Sequence, residues 1–340
     1  MSDNQMEAEK KMKRQISICN DNCLKVFEFL SPFKLGIEMA FVSRRFDALV
    51  DEHFKTRKWT LGSLRIKRRK NGENDTTEME IFNMKQQKTL PIPQKPLPNK
   101  IIAFRMIILD CFDQNVIDFL QNFRQIFASG TNLCISYSYI EEDIVEFVVR
   151  NIWPMLKDNI RGIHYHIENK QSNQLQQFVS SILNDCQTLR LFYSYRHFPC
   201  FSTDESAKTS IEQALVSWLL TPRSDGIPKL IVCSQIREDQ WRPKIISIKS
   251  AFANASSPVS FIIAVRFPPW RDVSYIVPFE MINWMTGERF TLKTIGIKHI
   301  KHFLLVRCPI ARDEQKWAKW ERESSPFGKP NTIGICSNYR

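Results

Sequence analysis

The sequence predicts an α/β protein. A small set of three N-terminal helices should be followed by a larger domain of alternating strands and helices, irregularly repetitive or mostly parallel, that ends in an antiparallel β meander. Three features of the 340 residues carry this expectation. Between residues 18 and 49, apolar side chains recur at helical spacing in three short runs separated by breaks. From residue 101 onward, short β-type runs alternate with amphipathic helical runs, the mark of strand–helix–strand units. Past Ser260 the runs are all strand-like, with a turn signal at residues 285–288.

The first helical run starts at Asn20 or Asp21, both suited to cap a helix. Cys23, Leu24, Val26, Phe27 and Leu30 follow, and Ser31-Pro32 ends the run because proline disfavours an α conformation in the residue before it. Leu35, Met39 and Val42 form the second stripe. Phe46, Leu49 and Val50 form the third, which Phe54 extends. So small a unit cannot bury this many apolar side chains by itself, and the excess is surface for a partner.

The order Ile18-Cys19, Leu24, Val26-Phe27, Phe29-Leu30, Pro32, Leu35, Val42-Ser43-Arg44-Arg45-Phe46 and Leu49 resembles an F-box. The family usually opens with Leu-Pro where this chain has Ile18-Cys19, and often has Trp where this chain has Phe46. The resemblance implies a module over residues 16–58 that binds the adaptor subunit of an SCF-type (cullin–RING) ubiquitin ligase and, through it, a cullin scaffold. On that reading Ile18, Leu24, Phe27, Leu30, Leu35, Val42 and Phe46 contact the adaptor, and the remainder of the chain captures a client protein. Further along, Thr286–Leu292 and Leu304–Ile310 resemble the F-box-associated region of nematode F-box proteins.

Residues 1–15 are polar and charged, without the apolar core of a secretory signal, and read as a disordered lead-in. No stretch has the apolar length to cross a bilayer. The nine cysteines are odd in number and irregularly spaced, most within apolar runs, which fits reduced thiols in the cytoplasm or nucleus. Formal net charge is +12, and residues 61–100 hold nine Lys/Arg against four Asp/Glu. With four prolines between residues 91 and 98, the stretch 59–100 reads as a basic, extended linker. The cluster at residues 65–70 also suits a nucleic-acid or nuclear partner, the alternative functional reading.

Within the expected domain at 101–322, strand-like cores centre near Ile108, Ile135, Tyr165 and Leu191. Their spacing is close to the repeat of leucine-rich βα solenoids, although the consensus Asn is missing. A non-repetitive, mostly parallel layer is the other possibility. A helix over residues 313–322 places Trp317 and Trp320 on one face, and residues 323–340 read as a loose tail.

Recognisable chemistry is absent from the sequence. There is no Gly-rich phosphate loop, HExxH, paired CxxC or G-x-S-x-G elbow, so no catalytic, cofactor or metal residue is assigned. Cys19 with Cys23, His164 with His166, and His299 with His302 lack the additional ligands that a metal site needs. Aromatic residues beside cations are the more informative pattern, since such residues dominate protein–protein hot spots. Tyr139, Tyr193, Tyr195, Arg196, His197, Phe198 and Trp241 should lie at strand ends along one rim and are the candidate client contacts. The sequence thus predicts a non-catalytic adaptor, with an enzyme on an α/β scaffold as a third option.

Overall fold

The computed structural model describes residues 18–31, 34–55, 59–68, 79–83, 88–91, 101–128, 130–136, 140–166, 173–201, 210–234, 236, 238–267, 270–297, 300–323 and 332–335. The chain divides into two compact units, Met1–Leu61 with Lys95–Ile102 and Gly62–Gln94 with Ala103–Arg340.

In the first unit, helix α1 (Asn20–Phe27) leads to a π-helical turn (Lys34–Met39) and then helix α2 (Arg44–Phe54). Cys19, not Asn20 or Asp21, holds the cap position of α1 and makes no side-chain cap bond. The second expected helix is therefore a single wide turn, which buries Leu35 and Ile37. Ser43 caps α2 by accepting a hydrogen bond from the Phe46 amide at 3.2 Å. Replacing Ser43 by Ala should cost about 1 kcal/mol, detectable as an earlier loss of helical signal from this unit in urea.

The strands form one 13-stranded sheet in the order β10-β11-β12-β9-β8-β7-β6-β5-β13-β4-β1-β2-β3. The strands are β1 (Trp59–Arg68), β2 (Met79–Asn83), β3 (Lys88–Pro91), β4 (Ile101–Leu109), β5 (Thr131–Ser136), β6 (Ile160–His166), β7 (Leu191–Ser194), β8 (Lys229–Ser234), β9 (Phe261–Phe267), β10 (Phe279–Asn283), β11 (Glu288–Ile297), β12 (Ile300–Pro309) and β13 (Thr332–Ile335). Strands β5 to β9 are parallel and adjacent in chain order. Strands β9, β12, β11 and β10 then continue antiparallel, as the meander pattern predicts.

Two expectations about connectivity are corrected. The stretch 59–100 is not only a linker, because it supplies β1, β2 and β3, with β2 antiparallel to both neighbours. The expected loose tail at 323–340 contributes β13, which lies parallel between β4 and β5. The strand at Ile108 is therefore not the neighbour of the strand at Ile135. Its Cα partner is Gly334.

The helices are α3 (Gln114–Asn122), α4 (Glu142–Phe147), α5 (Trp153–Leu156), α6 (Asn173–Asp185), α7 (Ser210–Leu220), α8 (Glu238–Ala253) and α9 (Glu314–Arg322). Helix α6 packs on α4 and α7, and Lys244 of α8 bridges to Glu212 of α7 at 2.5 Å. Alternation along the strands separates two faces. Phe261 and Phe267 join the ring cluster around Trp241, Phe252 and Phe290. Ile262 and Ala264 lie on the opposite face with Leu191, Leu230, Val232, Leu304, Val306 and Cys308, beneath Trp317 of α9. Covered on both faces, all seven residues of β9 are buried, which explains its uninterrupted run FIIAVRF.

Two buried polar sites show how charge is accommodated in this core. Arg307, 3% exposed, donates two hydrogen bonds to Oε2 of Glu288, 1% exposed, from Nε at 3.1 Å and from Nη2 at 2.6 Å. His302 faces Arg266 across the β12–β9 register. Burial first, and the Arg266 cation second, push the His302 pKa from 6.5 down to about 4. The folded chain thus binds fewer protons here than the unfolded chain in that interval, so stability rises with pH across it and is retained above it. Acidification through this window should remove up to about 3 kcal/mol. His302→Gln should flatten the slope of urea stability against pH between about 6.5 and about 4.

Candidate functional site

Polar side chains tie the N-terminal helices together. Arg45 on α2 reaches back to α1, donating from Nε and Nη2 to Asn20 Oδ1 at 3.2 and 2.9 Å and from Nη2 to the Ile18 carbonyl. Together with the Ser43 cap, this gives the Val42-Ser43-Arg44-Arg45-Phe46 run a structural role: it starts α2 and ties the beginning of α1 to it. Beneath the clamp, the Phe27 ring lies 6.2 Å from Phe46 and 6.0 Å edge-on to His53. Burial first, then the neighbouring Asp47, raises the pKa of Asp51 further along α2.

Of the seven expected adaptor contacts, Ile18 and Val42 are exposed, at 52% and 63%. Leu24, Leu30 and Phe46 are half-buried. Phe27 and Leu35 are buried at 1% and 0%, so they support the helices and cannot touch a partner in this conformation. In their place the surface presents Val26 at 56% and Phe29 at 87%. Helical spacing could not separate these from their buried neighbours, because α1 and the turn after it are apolar on several sides. The exposed apolar side chains of this segment are thus Ile18, Val26, Phe29 and Val42, with Leu24, Leu30 and Phe46 half-buried. Exposed apolar side chains of this size are the kind that protein contacts cover.

The expected client contacts do not form one rim. Tyr139 lies outside the described residues. Tyr193 stacks on His164 at 5.6 Å, and its hydroxyl lies 3.3 Å from Ser234 Oγ. Tyr195 meets His166 edge-on at 4.3 Å, with the Arg196 guanidinium 5.3 Å from its ring. Phe198 and Trp241 are corrected: they are 0% and 3% exposed and pack on each other at 5.9 Å within the core. Trp241 sits on α8, a helix the sequence did not announce because Pro243 lies inside it.

Arg196 and His197 instead line a cleft of about 1060 Å³ beside α8, together with Phe201, Glu212, Lys244 and Ile246. Burial lowers the His197 pKa, partly opposed by Glu212 and reinforced by Lys244. Lys244 donates to both Glu212 and the Phe198 carbonyl, so its charge is engaged. In the basic stretch 65–70, Arg65 is paired with Asp110, and residues 69 and 70 lie outside the described residues. No group of three or more His, Cys, Asp or Glu able to hold a metal ion occurs among the described residues. No described helix is long and apolar enough to cross a membrane.

Comparison of the chain with protein-family models, curated proteins and solved structures returned no match.

Proposed function

We propose that this chain is a substrate-recognition subunit of an SCF-type ubiquitin ligase. Its N-terminal helices bind the adaptor subunit, and through it the cullin scaffold, while the sheet-bearing unit holds a client protein. The reading assigns no catalytic residue to this chain. Its mechanism is proximity, since a tethered client meets the ligase's loaded ubiquitin carrier at high effective concentration. It places the protein in the cytoplasm or nucleus.

One observation carries the proposal. Four large apolar side chains, Ile18, Val26, Phe29 and Val42, stand more than half exposed within a segment whose backbone is fixed by Ser43 and Arg45. Such a surface has no folding role that requires its exposure, and preorganised apolar anchors favour binding. The leucine-rich-like reading of the second unit is supported by the sequential order of β5 to β9, each joined to the next through a helix. The alternative, nucleic-acid binding through residues 65–70, is weakened by the Arg65–Asp110 pair.

The test is co-purification of the full chain with recombinant adaptor, alongside an Arg45→Met variant. The reading expects adaptor recovery with the wild type and a several-fold loss with the variant, which frees Ile18 and Asn20 without altering an apolar contact. Binding of a labelled duplex that falls steeply with salt, with no adaptor recovery, would favour the alternative.

A further inference from the structure

The sheet face beneath Trp317 ends in a row of polar side chains. Leu191, Val232, Ala264 and Leu304 make the apolar part of that face. Two residues away along each strand stand Tyr193 on β7, Ser234 on β8, Arg266 on β9 and His302 on β12, so strand alternation keeps them on the same face. His164 of β6 joins the row as the Cα partner of Tyr193. Arg266 is the Cα partner of Ser234 on one side and of His302 on the other. Helices α4, α6 and α8 pack on the opposite face, around Ile135 and Phe267.

The row is closed at one end and more open at the other. Arg266 and His302 are 7% and 6% exposed, whereas Ser234, Tyr193 and His164 are half-buried. Burial lowers the Arg266 pKa, opposed in part by Tyr193. The Tyr193 hydroxyl lies 3.3 Å from Ser234 Oγ, and its ring stacks on His164 at 5.6 Å. Nε2 of His302 is buried without a hydrogen-bond partner among the described residues. Buried polar atoms are rarely left so, which points to a partner from outside the chain.

We infer that this row binds an organic carboxylate, whose carboxyl group sits on Arg266 between Tyr193 and His302 and whose apolar or aromatic body lies along the Tyr193–His164 stack. The planar guanidinium matches a carboxylate in a two-point contact. With the His302 imidazole held neutral, Arg266 brings one positive charge, which balances a monoanion and leaves a phosphate dianion half-compensated. The neutral His302, with its proton on Nε2, and the Tyr193 hydroxyl each donate to the carboxyl oxygens. A free organic acid and an acidic side chain of a bound protein present this same group. The site lies in the second unit and does not depend on the adaptor reading.

Benzoate titrated into the full chain, isotopically labelled at histidine Cε1, tests this by nuclear magnetic resonance. The His164 and His302 signals, identified by their loss in His164→Gln and His302→Gln, should move together with a dissociation constant on the order of 1 mM. Benzamide, of the same shape without the charge, should move neither. Arg266→Met should weaken benzoate at least ten-fold, and Tyr193→Phe, which keeps the ring, about two- to ten-fold. A capped peptide with one internal glutamate separates the sources. Binding as tight as that of benzoate assigns the site to a protein's acidic side chain, and no binding beside that of benzoate assigns it to a free acid. No movement with up to about 20 mM benzoate, an equal response to benzamide, or an affinity unchanged in Arg266→Met or in Tyr193→Phe would overturn the inference.

Discussion

Substituting Phe29 by Asp, or Val26 by Asp, should strongly weaken adaptor binding while leaving the thermal midpoint of the protein within about a degree of the wild type. Phe29 is 87% exposed and Val26 56%, so neither change opens a cavity or buries a charge. In the proposed complex, both side chains would leave water. A carboxylate placed in a desolvated apolar contact loses hydration without a partner. Hot-spot truncations cost about 2–4 kcal/mol, so affinity should fall by roughly 30- to 1,000-fold. Phe27→Asp is the instructive contrast. At 1% exposure, between Phe46 and His53, it should lose binding by unfolding the helices, visible as a lower helical signal. Titration calorimetry beside circular dichroism distinguishes the two. Wild-type affinity in the Phe29→Asp protein would show that this surface is not the contact.

The largest stability effect is expected at Arg307. Its guanidinium donates twice to Glu288 and once to the Ser257 carbonyl at 3.0 Å, and lies 5.2 Å from the centre of the Phe252 ring. Glu288 uses its other oxygen to accept from the Val259 amide at 2.8 Å. Both charges are nearly inaccessible to water, so removing one strands the other. Arg307→Ala should therefore cost about 3–5 kcal/mol in urea unfolding. Replacing both residues, Arg307→Met with Glu288→Leu, should recover much of that loss, because the stranded charge is gone. Recovery should stop short of the wild type, since the Val259 amide loses its acceptor. A cost below about 1 kcal/mol for Arg307→Ala would mean that the pair is solvated in solution.

The α/β class, strands β4 to β12 and the antiparallel end were legible because their apolar runs are long and their punctuation clear. The Val42 to Phe46 run was legible as a motif, and its structural role, a cap at Ser43 and a clamp at Arg45, became visible only with atoms in place. What escaped the sequence has local physical causes. Strand β13 is four residues, Thr-Ile-Gly-Ile, too short to display a period, and its position is set by pairing with β4 and β5. Helix α8 carries Pro243, which reads as a stop signal, yet packing of Trp241, Ile248 and Phe252 into the core holds it. Within the candidate site, periodicity identified which residues were apolar but not which were covered. The buried Phe27 and Leu35 and the exposed Val26 and Phe29 have similar hydrophobicity, and only the packing of α1 on α2 separates them.

The most direct test of the central claim is amide hydrogen exchange on the full chain with and without purified adaptor. The account predicts new protection confined to residues 18–46, strongest around Val26 to Leu30 and Val42. Protection absent there, or found only along β6 to β9 and α8, would contradict it.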